Sequence, residues 1–65
     1  MPSPLYRAVC AELKKLGYIK TKGGKGSHEK WQCQDTGRTT IVPSSMKSRH
    51  TANAILKACG SRKKV

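Results

Sequence analysis

The stretch His28-Glu29-Lys30-Trp31-Gln32-Cys33-Gln34, followed by Asp35-Thr36-Gly37 and then Thr39-Thr40-Ile41-Val42-Pro43, decides the fold. Successive side chains of an extended chain point to opposite faces, so Trp31 and Cys33 share one face while His28, Lys30, Gln32 and Gln34 share the other. One side is apolar and the other polar, as in a strand half-covered by a core. Asp35-Thr36-Gly37 is a turn of hairpin length, and the β-branched run after it supplies the returning strand until Pro43 ends it.

Working outward, Tyr18 to Lys22 reads as a preceding strand, with Tyr18 and Ile19 adjoining the core before a polar, glycine-rich turn. Upstream, Ser3 followed by Pro4 starts a helix, because serine can cap free amide groups and proline suits the first turn. Leu5, Val9, Leu13 and Leu16 recur at helical spacing, Tyr6 and Cys10 widen the stripe, and Gly17 stops it. Downstream, Ser44 to His50 reads as a polar connection. A second helix from about Thr51 to Cys59 then aligns Ala52, Ile55, Leu56 and Cys59 before Gly60, and 61–65 reads as a frayed basic tail. The expectation is an α+β fold of order α-β-β-β-α, with a three-stranded antiparallel sheet carrying both helices on one face.

At 65 residues the chain is a single domain, 1–65, with room for a face or shallow groove rather than an enclosed cavity. Fourteen Lys and Arg against three Asp and Glu give a net charge of +11, a self-repulsion that points to a polyanionic partner. Nucleic acid is favoured over membrane: no apolar run approaches a transmembrane span of roughly 18 residues, and no signal-peptide apolar region follows Met1. The reading is therefore cytoplasmic. Cys10, Cys33 and Cys59 are widely spaced and fall at apolar positions of the pattern. They read as small buried hydrophobes in a reducing compartment, with neither a disulfide framework nor a metal site.

The candidate chemistry lies in Gly23-Gly24-Lys25-Gly26-Ser27-His28. Closely spaced glycines let backbone approach a ligand, and Lys22 and Lys25 interleave with them, so the segment can present amide and ammonium groups to phosphate or can be a soluble hairpin loop. It is not a P-loop, lacking the GK[ST] ending and the strand-loop-helix setting. His28 falls on the polar face with Lys30 two residues on. An exposed imidazole among lysines can contact phosphate, or it can move a proton between a ribose 2′-hydroxyl and a departing 5′-oxygen while the lysines neutralise charge on phosphorus. His50, before the second helix, is a surface or capping residue or a second acid or base facing His28. Trp31 occupies the apolar phase and reads as a core anchor rather than a base-stacking platform. Glu12, Glu29 and Asp35 form no pair in the pattern, which argues against carboxylate-held Mg²⁺ and against a two-carboxylate hydrolase, and no cofactor is implied.

Over nearly its whole length the sequence resembles the HicA family of bacterial toxin–antitoxin systems, small mRNA interferases with a double-stranded-RNA-binding-like fold. The resemblance rests on Leu13-Lys14-Lys15-Leu16-Gly17-Tyr18, Lys25-Gly26-Ser27-His28, Asp35-Thr36-Gly37-Arg38, Ile41-Val42-Pro43 and Ala54-Ile55-Leu56-Lys57-Ala58-Cys59-Gly60, in that order. It implies a ribosome-independent, metal-independent endoribonuclease that is a monomer when free. The histidine of the Gly-Ser-His element, here His28, is implied to be catalytic, and a HicB-type antitoxin to cover it. Lys22, Gly24, Lys25, Gly26, Ser27, Lys30 and Arg38 are the expected mRNA contacts around it. Many relatives carry a histidine soon after the Val-Pro element, where this chain has Ser44 and Ser45, which leaves open whether His50 substitutes. Two other classes fit the charge: a non-catalytic module docking on double-stranded RNA by shape and phosphate contacts, and a DNA-binding regulator. The second helix offers the latter little base-reading surface beyond Ala52, Asn53 and Lys57.

Overall fold

The computed structural model describes residues 3–65. Helix α1 spans Pro4–Lys15, strands β1, β2 and β3 span Tyr18–Lys25, His28–Cys33 and Thr39–Pro43, and helix α2 spans Arg49–Ala58, giving the order α-β-β-β-α. The Ser3 hydroxyl accepts the amide of Tyr6 at 3.1 Å, satisfying one of the free donors of α1, and Ser48 caps α2 in the same way through Thr51 at 3.4 Å. The strands form one antiparallel sheet in the order β1-β2-β3, so β2 is central and β1 and β3 are edges.

Register sorts the sheet into two faces. Tyr18 stands opposite Cys33, and Glu29 opposite Val42, on the covered side. There Tyr18, Trp31, Cys33 and Val42 join Val9, Cys10 and Leu13 of α1 and Ala52 and Leu56 of α2 in one buried cluster. Both helices thus lie on one face, and the opposite face is open. Ile19, expected to adjoin the core, stands opposite Gln32 on that open face and is 46% exposed. The reason is geometric: Tyr18 faces inward, so its neighbour must face outward.

Three further differences concern segments read as loops. β1 runs on to Lys25 instead of ending at Lys22, because a two-residue turn, Gly26-Ser27, suffices to reverse the chain. The connection after β3 is not wholly polar, since Met46 is 3% exposed and plugs the core between β3 and α2. The terminal segment is docked rather than frayed: the Val65 amide donates to Asn53 Oδ1 at 2.8 Å, Asn53 Nδ2 donates back to the Val65 carbonyl at 3.5 Å, and the Val65 side chain packs against the core. α2 also begins at Arg49, so His50 lies within its first turn and not before it.

The faces make a stability prediction. Leu13→Ala empties a fully buried site and should cost about 2–5 kcal/mol, whereas Ile19→Ala, on the open face, should stay within about 0.5 kcal/mol; urea unfolding followed by circular dichroism compares the two.

Candidate nucleic-acid interface

His28 is the first residue of β2, exposed and directed to the open face. Its register partners are Lys25 on β1 and Pro43 on β3. Gly26 has a φ of 57° and, among the described residues, no non-glycine residue has positive φ, so positive φ falls on the first of the two turn residues, as a type II′ hairpin turn requires. The Ser27 carbonyl accepts the Ser44 amide at 2.7 Å, which ties this turn to the chain leaving β3. The Gly-Ser-His element is therefore held from both sides, and Pro43-Ser44 stands beside it.

The glycine pair before the turn has a different task from the one its composition suggested. Thr21 pairs with Lys30 and Lys25 with His28, so β1 carries two more residues than β2 across this interval and the ladder bulges at 22–24. A methyl group on Gly24 would run into the carbonyl oxygen of His28 and stand 2.9 Å from the Cα of Glu29, both parts of the backbone. One on Gly23 would meet the Lys30 side chain at its Cδ, 2.5 Å away, which can swing aside. Gly24 is thus the point at which β1 closes on the backbone of His28.

Beneath the bulge lies an open groove of about 380 Å³, lined by Lys20, Thr21, Lys22, Gly24, Gly26, His28 and Glu29. Of the expected contacts it gathers Lys22, Gly24, Gly26 and His28. Lys25 is across the turn, and Lys30 is the next outward side chain of β2, half-buried beside Gly23. Arg38 is elsewhere. Its carbonyl accepts the Cys33 amide at 2.8 Å at the far end of β2, about 16 Å from His28 at the usual rise per residue, and it borders a recess with Tyr18, Asp35, Thr36 and Cys59. His50 lies on the flank of α2 in a separate groove with Asn53, Lys57 and the terminal segment.

Glu29 is the residue that sequence reasoning passed over. It faces the covered side, where its Oε1 accepts from the Tyr6 hydroxyl at 2.5 Å and from Trp31 Nε1 at 3.3 Å, and its Oε2 lies 3.0 Å from Lys20 Nζ. Burial pushes this carboxyl upward, but the hydrogen bonds from Tyr6, Lys20 and Trp31 outweigh it and hold it below its ordinary value of 4.5. Donation to Glu29, followed by burial, holds the Tyr6 phenol far above its usual range. One carboxylate thus joins α1, β1 and β2 directly behind His28. The signal was available: alternation puts Glu29 in phase with Trp31 and Cys33, and a carboxylate in the apolar phase needs donors around it.

A family model for the HicA toxin of bacterial toxin–antitoxin systems matches residues 6–61. The chain belongs to the HicA toxin family. No curated protein and no solved structure matches it. The HicA match runs from Tyr6 in the first turn of α1 through Ser61, so it includes the whole sheet, the Gly-Ser-His turn and α2, and leaves Arg62, Lys63, Lys64 and Val65 outside. Membership makes the chain the toxin member of a toxin–antitoxin pair, and with it goes an antitoxin partner. Among the described residues no helix is long and apolar enough to cross a membrane, and no three His, Cys, Asp or Glu side chains gather to hold a metal.

Two predictions follow from this end of the HicA sheet. Gly24→Ala should displace the His28 backbone and lower any His28-dependent activity by about 10²-fold, while Gly23→Ala should be tolerated; activity assays and amide spectra of the paired variants test the difference. For Glu29, whose folded value is depressed, the stabilisation is complete above pH 4.5 and is lost as pH falls through the lower folded value. Urea midpoints should fall over that acid range in the parent and less steeply in Glu29→Gln, which starts lower at neutral pH.

Proposed function

We propose that this HicA-family chain is a ribosome-independent, metal-independent endoribonuclease that cleaves mRNA, with His28 as general acid or base. The observation that carries the reading is the exposed imidazole at the lip of a cationic groove, beside the backbone of Gly26-Ser27 and among Lys22, Lys25 and Lys30. The ribose 2′-oxygen attacks phosphorus, the P–O5′ bond breaks, and the products are a 2′,3′-cyclic phosphate and a 5′-hydroxyl. The imidazole either takes the proton from the 2′-hydroxyl or gives one to the departing 5′-oxygen. Ammonium groups of Lys22, Lys25 and Lys30 balance the charge that builds on the phosphoryl oxygens, and the turn backbone sets the strand in place. Supply of the second proton transfer falls to a group near Pro43-Ser44, which adjoin the turn, or to water. A HicB-type antitoxin neutralises the toxin by covering His28.

Purified His28→Ala should cut RNA at least about 10²-fold more slowly while binding it as tightly as the parent, and the parent should cut equally well in excess EDTA and leave cyclic phosphate ends. If His28→Ala cleaves at the parental rate with binding unchanged, the chain is a non-catalytic module that docks on double-stranded RNA. The order α-β-β-β-α and the charge of +11 would serve that role also.

A further inference from the structure

The terminal residues, of which 62–65 lie beyond the HicA match, add cations to a flank of α2. His50, Asn53, Ala54 and Lys57 succeed one another along one flank of α2 at helical spacing. The chain then turns back: the Ser61 amide donates to the Leu56 carbonyl at 2.8 Å, and Val65 is clasped by Asn53, one turn from His50. Arg62, Lys63 and Lys64 are thereby laid alongside the flank, bordering a groove of about 390 Å³ lined by no Asp or Glu side chain, with the Val65 carboxyl held by Asn53 at its margin. Lys63 leans toward Glu12 at 3.7 Å, while Lys57, Arg62 and Lys64 are exposed. A mobile basic tail would be ordinary, but one anchored through an asparagine so that its cations line a trough is a built feature. We propose that this trough is a second binding site for the sugar–phosphate backbone of RNA, in which His50 is a phosphate contact.

A strand that also reaches His28, a link resting on the nuclease reading above, passes around an edge of the sheet, because α2 lies on the covered face and His28 on the open one. α2 begins a short connection after Pro43, and Pro43 is the register partner of His28, so the His50 end of the trough and the catalytic turn share one end of the molecule. Two weak contacts on one strand reinforce each other, because the first raises the local concentration of the strand at the second. A long RNA should benefit; a dinucleotide, unable to occupy both, should not.

Binding is measured by anisotropy with a long 2′-O-methyl RNA, which lacks the attacking hydroxyl, so the result does not depend on cleavage. The double variant Arg62→Ala/Lys64→Ala should reduce the slope of log Kd against log salt by about 1.4 and weaken binding roughly ten- to thirty-fold near 0.1 M salt, as expected for two lost contacts to a single strand. Asn53→Ala, which keeps every cation but releases the tail, should weaken binding severalfold. Lys14→Ala/Lys15→Ala, which removes the same charge from α1, should change little. For cleavage, the tail variants should raise KM on long RNA and leave kcat and dinucleotide turnover alone. Parental affinity in both tail variants, or an equal loss in the α1 variant, overturns the proposal. Loss of poly-glutamate binding with RNA binding intact also overturns it, in favour of an acidic protein partner. If the parent binds but does not cleave unmodified RNA, the nuclease reading fails while the trough stands.

Discussion

The register of β2 between its two neighbours governs the rest of the molecule. It places Trp31 and Cys33 in the dry layer under both helices and, by the period of two, turns His28 and Lys30 to the open side. A slip of one residue would exchange the two sets, burying an imidazole and an ammonium without partners while exposing the indole. The free energy that keeps Trp31 covered is therefore the same free energy that keeps His28 wet. Fold and candidate chemistry are opposite faces of one strand.

A chain with so few carboxylates must place them with care. Glu12 meets Lys15 at 3.4 Å and Lys63 at 3.7 Å, and Glu29 meets Lys20 at 3.0 Å, so both fasten segments to one another as well as offsetting charge. Surface pairs of the first kind add little to stability. Glu29 differs because it is largely shielded and is shared by a phenol and an indole as well as an ammonium. Of the other cations, Lys22 borders the groove under the bulged β1, and Lys57, Arg62 and Lys64 border the one along α2.

Much of the fold was legible. Alternation from His28 to Cys33, the Ser3-Pro4 start and the four-four-three spacing of Leu5, Val9, Leu13 and Leu16 are local patterns, and local patterns survive into the structure because each element must bury its own apolar face. The placement of His28, Lys22, Gly24 and Gly26 at one groove was legible too, since they lie within a few residues of one turn. Arg38, assigned to the same contacts from resemblance, stands at the other end of β2, a distance that only strand length discloses.

The amino-acid sequence by itself determined the element order, the two-faced sheet, the exposure of His28 and the cationic character, because periodicity and net charge are properties of the chain read in order. The tertiary structure alone decided that Gly24 closes on the His28 backbone, that Glu29 is bonded from three elements, that Met46 enters the core and that the tail is clasped by Asn53. Each of these depends on which distant residues become neighbours, and a donor twelve or twenty-three positions away leaves no periodic trace in the sequence.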